Sequence, residues 1–189
     1  MCSISAKMHF RISFGLFGED HILGGMSFII VGLGNPGFEY EGTRHNTGRI
    51  LLEKIRKHFE FSNWKLDKKF NAQTATGAIG KEKVLLMTPE GFMNNSGKSL
   101  KHLAGSPKKV EKCLVIYDEL DMPLGTFKIS FGRGDGGHNG LASVIKCVKT
   151  RDFPRIRVGI TPATPSGKLK KPTGEKDVIK HILGKFKPA

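Results

Sequence analysis

The chain has 189 residues, of which 38% are hydrophobic and 25% charged, a length and balance typical of one soluble globular domain with its own core. Its formal net charge of +14 predicts a polyanionic partner, either nucleic acid or an anionic membrane, although a solvated basic surface without a partner gives the same composition. Its three cysteines include no C-x-x-C pair, which argues against a disulfide framework or zinc finger and favours a reducing compartment.

Residues 1–25 precede the first regular pattern and are expected to form a disordered, dispensable extension. A signal peptide is disfavoured because the apolar run at 12–17 is short, stops at Glu19 and Asp20, and lacks a small-residue cleavage site. No stretch of the sequence approaches the roughly 18 consecutive apolar residues that a membrane span requires. The protein is therefore expected to be cytoplasmic and to have no membrane partner.

From Met26 onward, apolar runs and helical periodicities alternate along the chain. Strands are predicted at residues 27–31, 70–79, 83–87, 113–117, 126–131 and 155–160. Helices are predicted from Thr47 and at residues 96–104, 141–148 and 177–183, the last with Asp177 near its N-cap. The Pro, Gly and Lys residues of 161–174 predict a mobile loop. This order predicts an α/β fold, a single-domain sandwich in which helices flank a central mixed β-sheet.

The first predicted strand runs into a Gly-x-Gly-x-x-Gly pattern at Gly32, Gly34 and Gly37, the spacing of a dinucleotide-binding loop. Such a loop needs a helix N-terminus with free N–H groups, but Pro36 removes one of them and helical periodicity begins only about ten residues later. No acidic residue closes a second strand at the expected spacing. The interpretation as a nucleotide site is therefore disfavoured.

A second glycine motif spans residues 91–99 and resembles a phosphate-binding P-loop. Five residues separate Gly91 from Gly97, whereas the P-loop has four at this point. The extra residue would disrupt the ring of N–H groups around a phosphate, so this interpretation is rejected. The sequence also lacks the G-x-S-x-G turn of serine-nucleophile hydrolases.

Polar residues gather at the ends of the predicted strands and in glycine-rich turns. They are Asn35, His45, Asn46, Asn94, Asp118, Glu119, His138 and Asn139. A single such residue is usually a turn former or a satisfied hydrogen-bonding group. Several of them after successive apolar strands predict a ligand site, because sites in open α/β sheets lie at the carboxyl ends of the strands.

Five motifs contain these polar residues. They are Gly-Leu-Gly-Asn-Pro-Gly-Phe-Glu-Tyr (32–40), Thr-Arg-His-Asn (43–46), Phe-Met-Asn-Asn-Ser-Gly (92–97), Asp-Glu-Leu-Asp-Met-Pro-Leu-Gly (118–125) and Gly-Gly-His-Asn-Gly-Leu (136–141). In order and spacing they closely resemble the bacterial-type peptidyl-tRNA hydrolase family. The resemblance covers residues 26–187. It implies a carboxylic-ester hydrolase whose partner is peptidyl-tRNA and which frees the peptide from the tRNA 3′ end.

The resemblance also implies roles for individual residues. His45 would be the catalytic base, Asp118 the carboxylate that orients it, and Asn35 the residue that reads the blocked peptide end of the substrate. The groove for the peptide and the tRNA 3′ end would be lined by Tyr40, Phe92, Asn94 and Asn139. The tRNA phosphates would be bound by Lys128 and Arg157. Where a second Lys is common in the family this chain has Ser130, for which Arg133 is a candidate substitute.

The chemistry of ester hydrolysis agrees with this assignment on its own terms. The reaction needs an activated water and stabilisation of a tetrahedral oxyanion. A neutral imidazole accepts the water's proton, and a carboxylate at its other nitrogen fixes the tautomer and stabilises the imidazolium. No metal or other cofactor is required. A metal site of His45, Asp118 and His138 is disfavoured because these residues lack close ligand spacing in the sequence.

The C-terminal end departs from the family pattern. The family continues with a long helix beyond residues 183–185, whereas this chain stops at Ala189. Absence of that helix is expected to expose part of the sheet's apolar face to solvent and to lower the stability of the fold. The alternative function is a non-catalytic RNA-binding relative, which the short C-terminus favours. Retention of His45, Asp118 and the asparagines favours the enzyme, which is expected to be a monomer.

Overall fold

The structure, a computed structural model, describes residues 25–186. At its centre is one sheet of seven strands. They are β1 (Phe28–Gly32), β2 (Lys65–Asp67), β3 (Ala72–Ile79), β4 (Glu82–Pro89), β5 (Cys113–Pro123), β6 (Phe127–Ser130) and β7 (Arg155–Thr161). Across the sheet they lie in the order β2-β3-β4-β1-β5-β7-β6. Strands β4, β1, β5 and β7 are parallel, and the other strands are antiparallel to their neighbours. The predicted mixed sheet is confirmed.

Helices flank this sheet, which confirms the predicted α/β fold class. The α-helices of the described residues are α1 (Thr47–His58), α2 (Pro107–Glu111), α3 (Asn139–Val148) and α4 (Glu175–Leu183). The 3-10 segments are Phe38–Tyr40, Arg44–Asn46 and the longer Met93–Leu103. The sequence did not predict β2 or α2, because segments of three and five residues are too short to show a period.

Two predicted helices differ from their expected form. The helix expected at 96–104 is a 3-10 helix that begins at Met93. It packs closely on α3, where the Gly97 N–H donates to the Ser143 hydroxyl at 3.0 Å. Helix α4 begins at Glu175 with Gly174 as its N-cap, two residues earlier than predicted, and Asp177 lies in its first turn.

Strand β5 is longer than predicted, because its backbone pairs with β7 beyond the apolar run. The pairing includes Asp118 with Val158 and Glu119 with Gly159, and the strand ends only at Pro123. Polar side chains ended the sequence pattern at 117, although the hydrogen-bonded backbone continues. As a result, Asp118 and Glu119 are carried by a strand rather than by a loop.

The two faces of the sheet are covered to different extents. One face, which includes Ile29, Val31 and Val115, packs beneath the 93–103 helix and α3 in a continuous buried core. The other face packs beneath α1 around Leu52 and Ile116. Towards β7 and β6 this second face continues as a bare strip, in which Ile156 and Val158 are partly buried against the same core whereas Phe127 and Ile129 are exposed. Register places Phe127 opposite Val158 and Ile129 opposite Ile156, and Phe127 and Ile129 are 48% and 54% exposed.

The remaining predictions concern the loop and the chain ends. Residues 162–174 form a loop closed by a bridge between Ala163 and Leu169, and its mobility stays a prediction. The predicted disorder of residues 1–25 falls outside the described residues, except at Gly25. Among residues 25–186, no helix has the length and apolar character needed to cross a membrane.

Candidate active site

A close backbone contact between α1 and the centre of the sheet positions the turn that carries His45. A Cβ atom on Gly32 would lie 2.4 Å from the Gly48 carbonyl oxygen. One on Gly48 would lie 2.4 Å from the Leu33 nitrogen and 2.5 Å from the Ile116 oxygen. Neither position has room for a side chain. Gly32, the first glycine of the apparent dinucleotide motif, therefore serves helix packing, which brings the turn Arg44–Asn46 against β5.

His45 and Asp118 form a buried hydrogen-bonded pair, as the sequence predicts. The Nδ1 atom of His45 lies 3.1 Å from Oδ1 and 3.0 Å from Oδ2 of Asp118. The two residues are only 8% and 4% exposed. An ionised carboxylate can only accept, so Nδ1 carries the proton and donates it. This tautomer leaves Nε2 of His45 with a free lone pair, the form that a general base needs.

His138 gives the carboxylate a second hydrogen bond, which the sequence analysis did not predict. Its Nε2 lies 2.9 Å from Asp118 Oδ1. Its Nδ1 accepts the backbone N–H of Leu141 at 3.1 Å and so caps the N-terminus of α3. Because Nδ1 accepts, the proton of a neutral His138 must lie on Nε2, where it is donated to Asp118. The cap therefore fixes the tautomer of His138 and makes it a permanent donor to the carboxylate.

The two histidines keep Asp118 ionised despite its burial. Burial alone raises the pKa of the carboxyl, but His138 and His45 together outweigh it, and the pKa lies well below its ordinary value. Asp118 is therefore a fixed negative charge beside His45 near neutral pH. It can stabilise the imidazolium that forms when His45 takes a proton.

The same three residues form a group that offers metal-ligand atoms. One ligand atom from each of His45, Asp118 and His138 lies within 4.8 Å of the others. Their wide spacing in the sequence therefore does not keep them apart, and that reason against a metal site was wrong. The hydrogen bonding gives a better one, because a metal at Nε2 of His138 would have to replace the proton that the helix cap places there. That no metal is required stays a prediction.

Asn35 lies next to this group and ties two loops together. Its Oδ1 accepts the Met93 N–H at 2.7 Å. Its backbone N–H donates to Asn46 Oδ1 at 2.8 Å, and its carbonyl accepts from Asn46 Nδ2 at 2.9 Å. With Oδ1 engaged, the amide Nδ2 of Asn35 is the group that can donate to a substrate carbonyl. The sequence analysis selected Asn46 as a polar residue but did not predict its two hydrogen bonds to the backbone of Asn35.

The predicted groove residues surround the same site. The Tyr40 and Phe92 rings meet edge to face with centroids 6.4 Å apart, and Phe92 is 58% exposed. Asn94 and Asn139 are exposed at the starts of the 93–103 helix and α3. These two starts touch, since a Cβ on Gly140 would lie 2.4 Å from the Met93 sulfur. All four predicted groove residues therefore lie on elements that border the site.

Comparisons with known proteins decide the family. A family model described as peptidyl-tRNA hydrolase matches residues 29–189. The peptidyl-tRNA hydrolase of Thermoanaerobacter sp. (strain X514) is 40% identical over 160 residues, which cover 84% of this chain and 80% of that protein. The chain belongs to the peptidyl-tRNA hydrolase family. A relative of the same name from Mannheimia succiniciproducens is 48% identical over 134 residues, covering 70% of this chain and 69% of that protein.

Solved structures of the peptidyl-tRNA hydrolase family share this fold. The crystal structure of peptidyl-tRNA hydrolase from Acinetobacter baumannii is 36% identical and superposes with a TM-score of 0.73. The superposition covers 86% of this chain and 79% of that one. The resemblance carried by the five sequence motifs is confirmed. Every predicted site residue lies inside the range that the family model matches.

The two basic residues predicted from the family pattern lie on β7 and β6, the two strands beyond β5 at one edge of the sheet. Lys128 on β6 and Arg157 on β7 are directly opposite each other in the antiparallel pair. Lys128 is exposed, whereas Nε of Arg157 donates to Glu119 at 2.9 Å. The charge of Arg157 is therefore already partly balanced by a neighbour, which the sequence did not predict. Ser130 faces Arg155, so the structure pairs it with a buried arginine.

Proposed function

We propose that this chain hydrolyses the ester bond between a peptide, or an N-blocked amino acid, and the 3′ end of tRNA, and so recycles the tRNA. The observation that carries the proposal is the buried pair of His45 and Asp118, with His45 in the tautomer of a base. Its location in a chain of the peptidyl-tRNA hydrolase family supports the substrate. The reaction class is that of a carboxylic-ester hydrolase.

His45 is the general base of this reaction and then its general acid. Nε2 takes a proton from a water molecule, whose oxygen forms a bond to the ester carbonyl carbon. The negative charge of Asp118 stabilises the resulting imidazolium. When the tetrahedral intermediate collapses, the bond to the ribose oxygen breaks and His45 returns the proton to that oxygen. The products are a peptide carboxylic acid, which releases its remaining proton to solvent and becomes a carboxylate, and a tRNA with its 3′-terminal hydroxyl restored.

The asparagines position the substrate around this pair. Nδ2 of Asn35 donates to a carbonyl of the blocked peptide end. Oδ1 of Asn35 already accepts the Met93 N–H, so Nδ2 is the atom left to bind the substrate. Asn94 and Asn139 bind the peptide backbone and the tRNA 3′ end, and the rings of Tyr40 and Phe92 form one wall of the groove. Uncharged amides suit this role because they both donate and accept without favouring any one side chain.

The phosphate backbone of the tRNA binds at Lys128 and Arg157. Both lie on the β6–β7 ribbon, and the net charge of +14 draws a polyanion towards it. Cytoplasmic location and activity without metal are part of the proposal, supported by the free thiols of Cys113 and Cys147 and by the fixed tautomer of His138. We also expect a monomer, which size-exclusion chromatography measures directly.

A non-catalytic RNA-binding relative is the weaker alternative. An RNA-binding protein has no need for a buried carboxylate, since phosphates are bound by exposed cations. Burial of Asp118 between two histidines costs desolvation free energy, a cost that a catalytic role explains and phosphate binding does not. The intact arrangement therefore favours turnover.

The decisive experiment incubates the purified chain with N-acetyl-aminoacyl-tRNA and, as a control, with the same aminoacyl-tRNA bearing a free amine. The proposal expects release of the blocked amino acid with multiple turnovers and much slower release from the control. Binding of the blocked tRNA without release would establish the RNA-binding alternative instead. Equal release from both substrates would refute the role of Asn35 at the blocked end.

A further inference from the structure

Arg155 is a buried charged residue that has no role in the reaction as described above. Its side chain is fully buried, with 0% exposure. Among the salt bridges of the described residues, none includes it. Burial lowers the pKa of its guanidinium below the ordinary value, although the nearby Tyr117 and Asp135 favour the charged form. Since an unpaired charge is costly to bury, its retention inside the fold calls for a specific partner.

The partners of Arg155 are backbone carbonyls and an aromatic ring. Nη1 donates to the Gly134 carbonyl at 2.9 Å, and Nη2 donates to the Arg151 carbonyl at 3.0 Å. The guanidinium carbon lies 4.4 Å from the centroid of the Phe153 ring. A planar fork with several fixed donors can hold two carbonyls at once, which a lysine ammonium does less well. Arg155 therefore clamps the start of β7 to the segment around Gly134.

That segment, the glycine-rich loop of residues 131–137, depends on outside support. Gly132, Gly136 and Gly137 have positive φ angles of 68°, 61° and 81°. Glycine-rich backbone loses more conformational entropy on ordering than other backbone. The loop's own bonds are local, since the N–H groups of Gly137 and His138 both donate to Asp135. Within the described residues, the bond from Arg155 is the hydrogen bond that ties this loop to the sheet.

The glycine-rich loop leads directly into the active site. It ends at His138, which donates to Asp118 and caps α3. Tyr117 supports the same ring from the side, edge to face at a centroid distance of 5.0 Å. The next residue, Asn139, begins α3 at the groove. A shift of the loop therefore moves one of the two donors that hold Asp118 against His45.

We propose that Arg155 is a positioning residue for hydrolysis: it holds the glycine-rich loop so that His138 stays on Asp118 and Asn139 stays in the groove. The proposal rests on the proposed function, because it takes His45 and Asp118 as the reacting pair. Arg155 does not bind tRNA, although it lies on β7 two residues before Arg157, since no part of its side chain reaches solvent. Its sequence context alone would group it with the phosphate-binding residues.

The test compares Arg155→Lys and Arg155→Met with Arg151→Met, an exposed arginine on the same segment. Each variant is measured for kcat and KM, for the salt dependence of tRNA binding, and for amide hydrogen exchange. Arg155→Lys keeps the charge but not the double clamp. We expect kcat to fall roughly ten- to a hundredfold, the size of effect that a small misplacement produces, with KM unchanged. Exchange should rise at residues 132–139 but not in β1 or β5, and Arg151→Met should match the wild type in kcat and exchange.

Three results would overturn the proposal. A folded Arg155→Lys protein with wild-type kcat and wild-type exchange would show that no clamp is needed. If Arg155→Met lowers the slope of log K for tRNA binding against log salt by about one unit, Arg155 contacts a phosphate instead. Faster exchange throughout the sheet would reduce Arg155 to a general stabiliser. If Arg155→Met does not fold, Arg155→Lys decides. A wild-type chain without hydrolase activity would refute the proposed function, whereas exchange would still test the clamp.

Discussion

The catalytic cluster of His45, Asp118 and His138 and the basic edge of Lys128 and Arg157 are neighbours, since β7 pairs directly with β5, but they are built differently. In the cluster, side-chain exposure is 10%, 3% and 8%, and every member is fixed by at least one hydrogen bond. At the basic edge, Lys128 is exposed and Arg157 shares its charge with Glu119. Charges interact strongly in the buried cluster, whereas salt screens the exposed charge of Lys128. Arg157, whose side chain is 15% exposed, lies between these two cases.

This difference predicts two kinds of response to mutation. In the cluster each residue depends on the next, so a single change should remove most of the rate while leaving tRNA bound. At the edge each phosphate contact adds to the others, so a single change should weaken affinity by a modest step. A cluster variant that loses tRNA affinity, or an edge variant that loses kcat, would show that binding and chemistry share residues.

The largest expected effect comes from Asp118→Asn. We expect kcat to fall by about 10²–10⁴-fold with little change in KM, because the amide keeps the shape but cannot stabilise an imidazolium and can favour the wrong tautomer. Steady-state kinetics on N-acetyl-aminoacyl-tRNA measure both constants. A pH–rate profile adds a check, since the lowered pKa of Asp118 keeps this carboxylate ionised well into the acid range. An unchanged rate and profile would remove Asp118 from the mechanism.

The sequence predicted the fold and most of the site, and its omissions have physical reasons. Apolar periods located the long strands and α1, and linked motifs located His45, Asp118 and Asn35. The role of His138 depends on which ring nitrogen caps α3, and a sequence does not show that choice. Arg155 looks like any basic residue on a strand until its 0% exposure is known. The metal argument failed for a related reason, since distance along the chain says little about distance in space.

A helix over the bare strip should produce the next largest effect, this time on stability. We propose that residues 26–187 form a domain whose second sheet face is incompletely covered, which the exposure of Phe127 and Ile129 supports. An amphipathic helix appended after Ala189 would bury this surface at roughly 25 cal/mol per Å² and contribute up to several kcal/mol. The melting temperature should rise by about 2–4 °C for each kcal/mol, with activity rising in parallel.

The control for this experiment is an appended helix of equal length whose apolar positions are replaced by Ser and Glu. It should leave the melting temperature of the chain unchanged. Equal melting temperatures for the chains with the apolar helix and with the control helix would show that covering the bare strip does not stabilise the domain. The domain would then be stable without such a helix.

The basic edge should give smaller, graded effects. Lys128→Met and Arg157→Met should each lower the slope of log K against log salt by about one unit and weaken all tRNAs alike. Arg157→Met should cost more affinity than Lys128→Met, because it leaves Glu119 uncompensated near the RNA. The double variant Arg157→Met/Glu119→Gln should recover that excess. If the affinity for tRNA does not depend on the salt concentration, the net charge of +14 does not contribute to tRNA binding.

The smallest effect is expected from deletion of residues 1–25. We propose that they are dispensable, because they precede β1 and carry as many acidic as basic side chains. Their loss should change the free energy of unfolding by no more than a few tenths of a kcal/mol, as is usual away from packed features. Urea denaturation of the two proteins measures the difference. A loss of more than about 1 kcal/mol would show that the extension packs on the domain.

The most direct test of the account is single-turnover release of an N-blocked amino acid from tRNA by His45→Ala, with tRNA affinity measured on the same protein. His58→Ala, a change of an exposed histidine on α1, is the matched control. Loss of the proton acceptor should slow release by about 10²–10⁴-fold, while the dissociation constant for tRNA stays near the wild-type value and the control keeps full activity. If His45→Ala keeps more than about a tenth of the wild-type rate, His45 is not the base and the proposed mechanism is wrong.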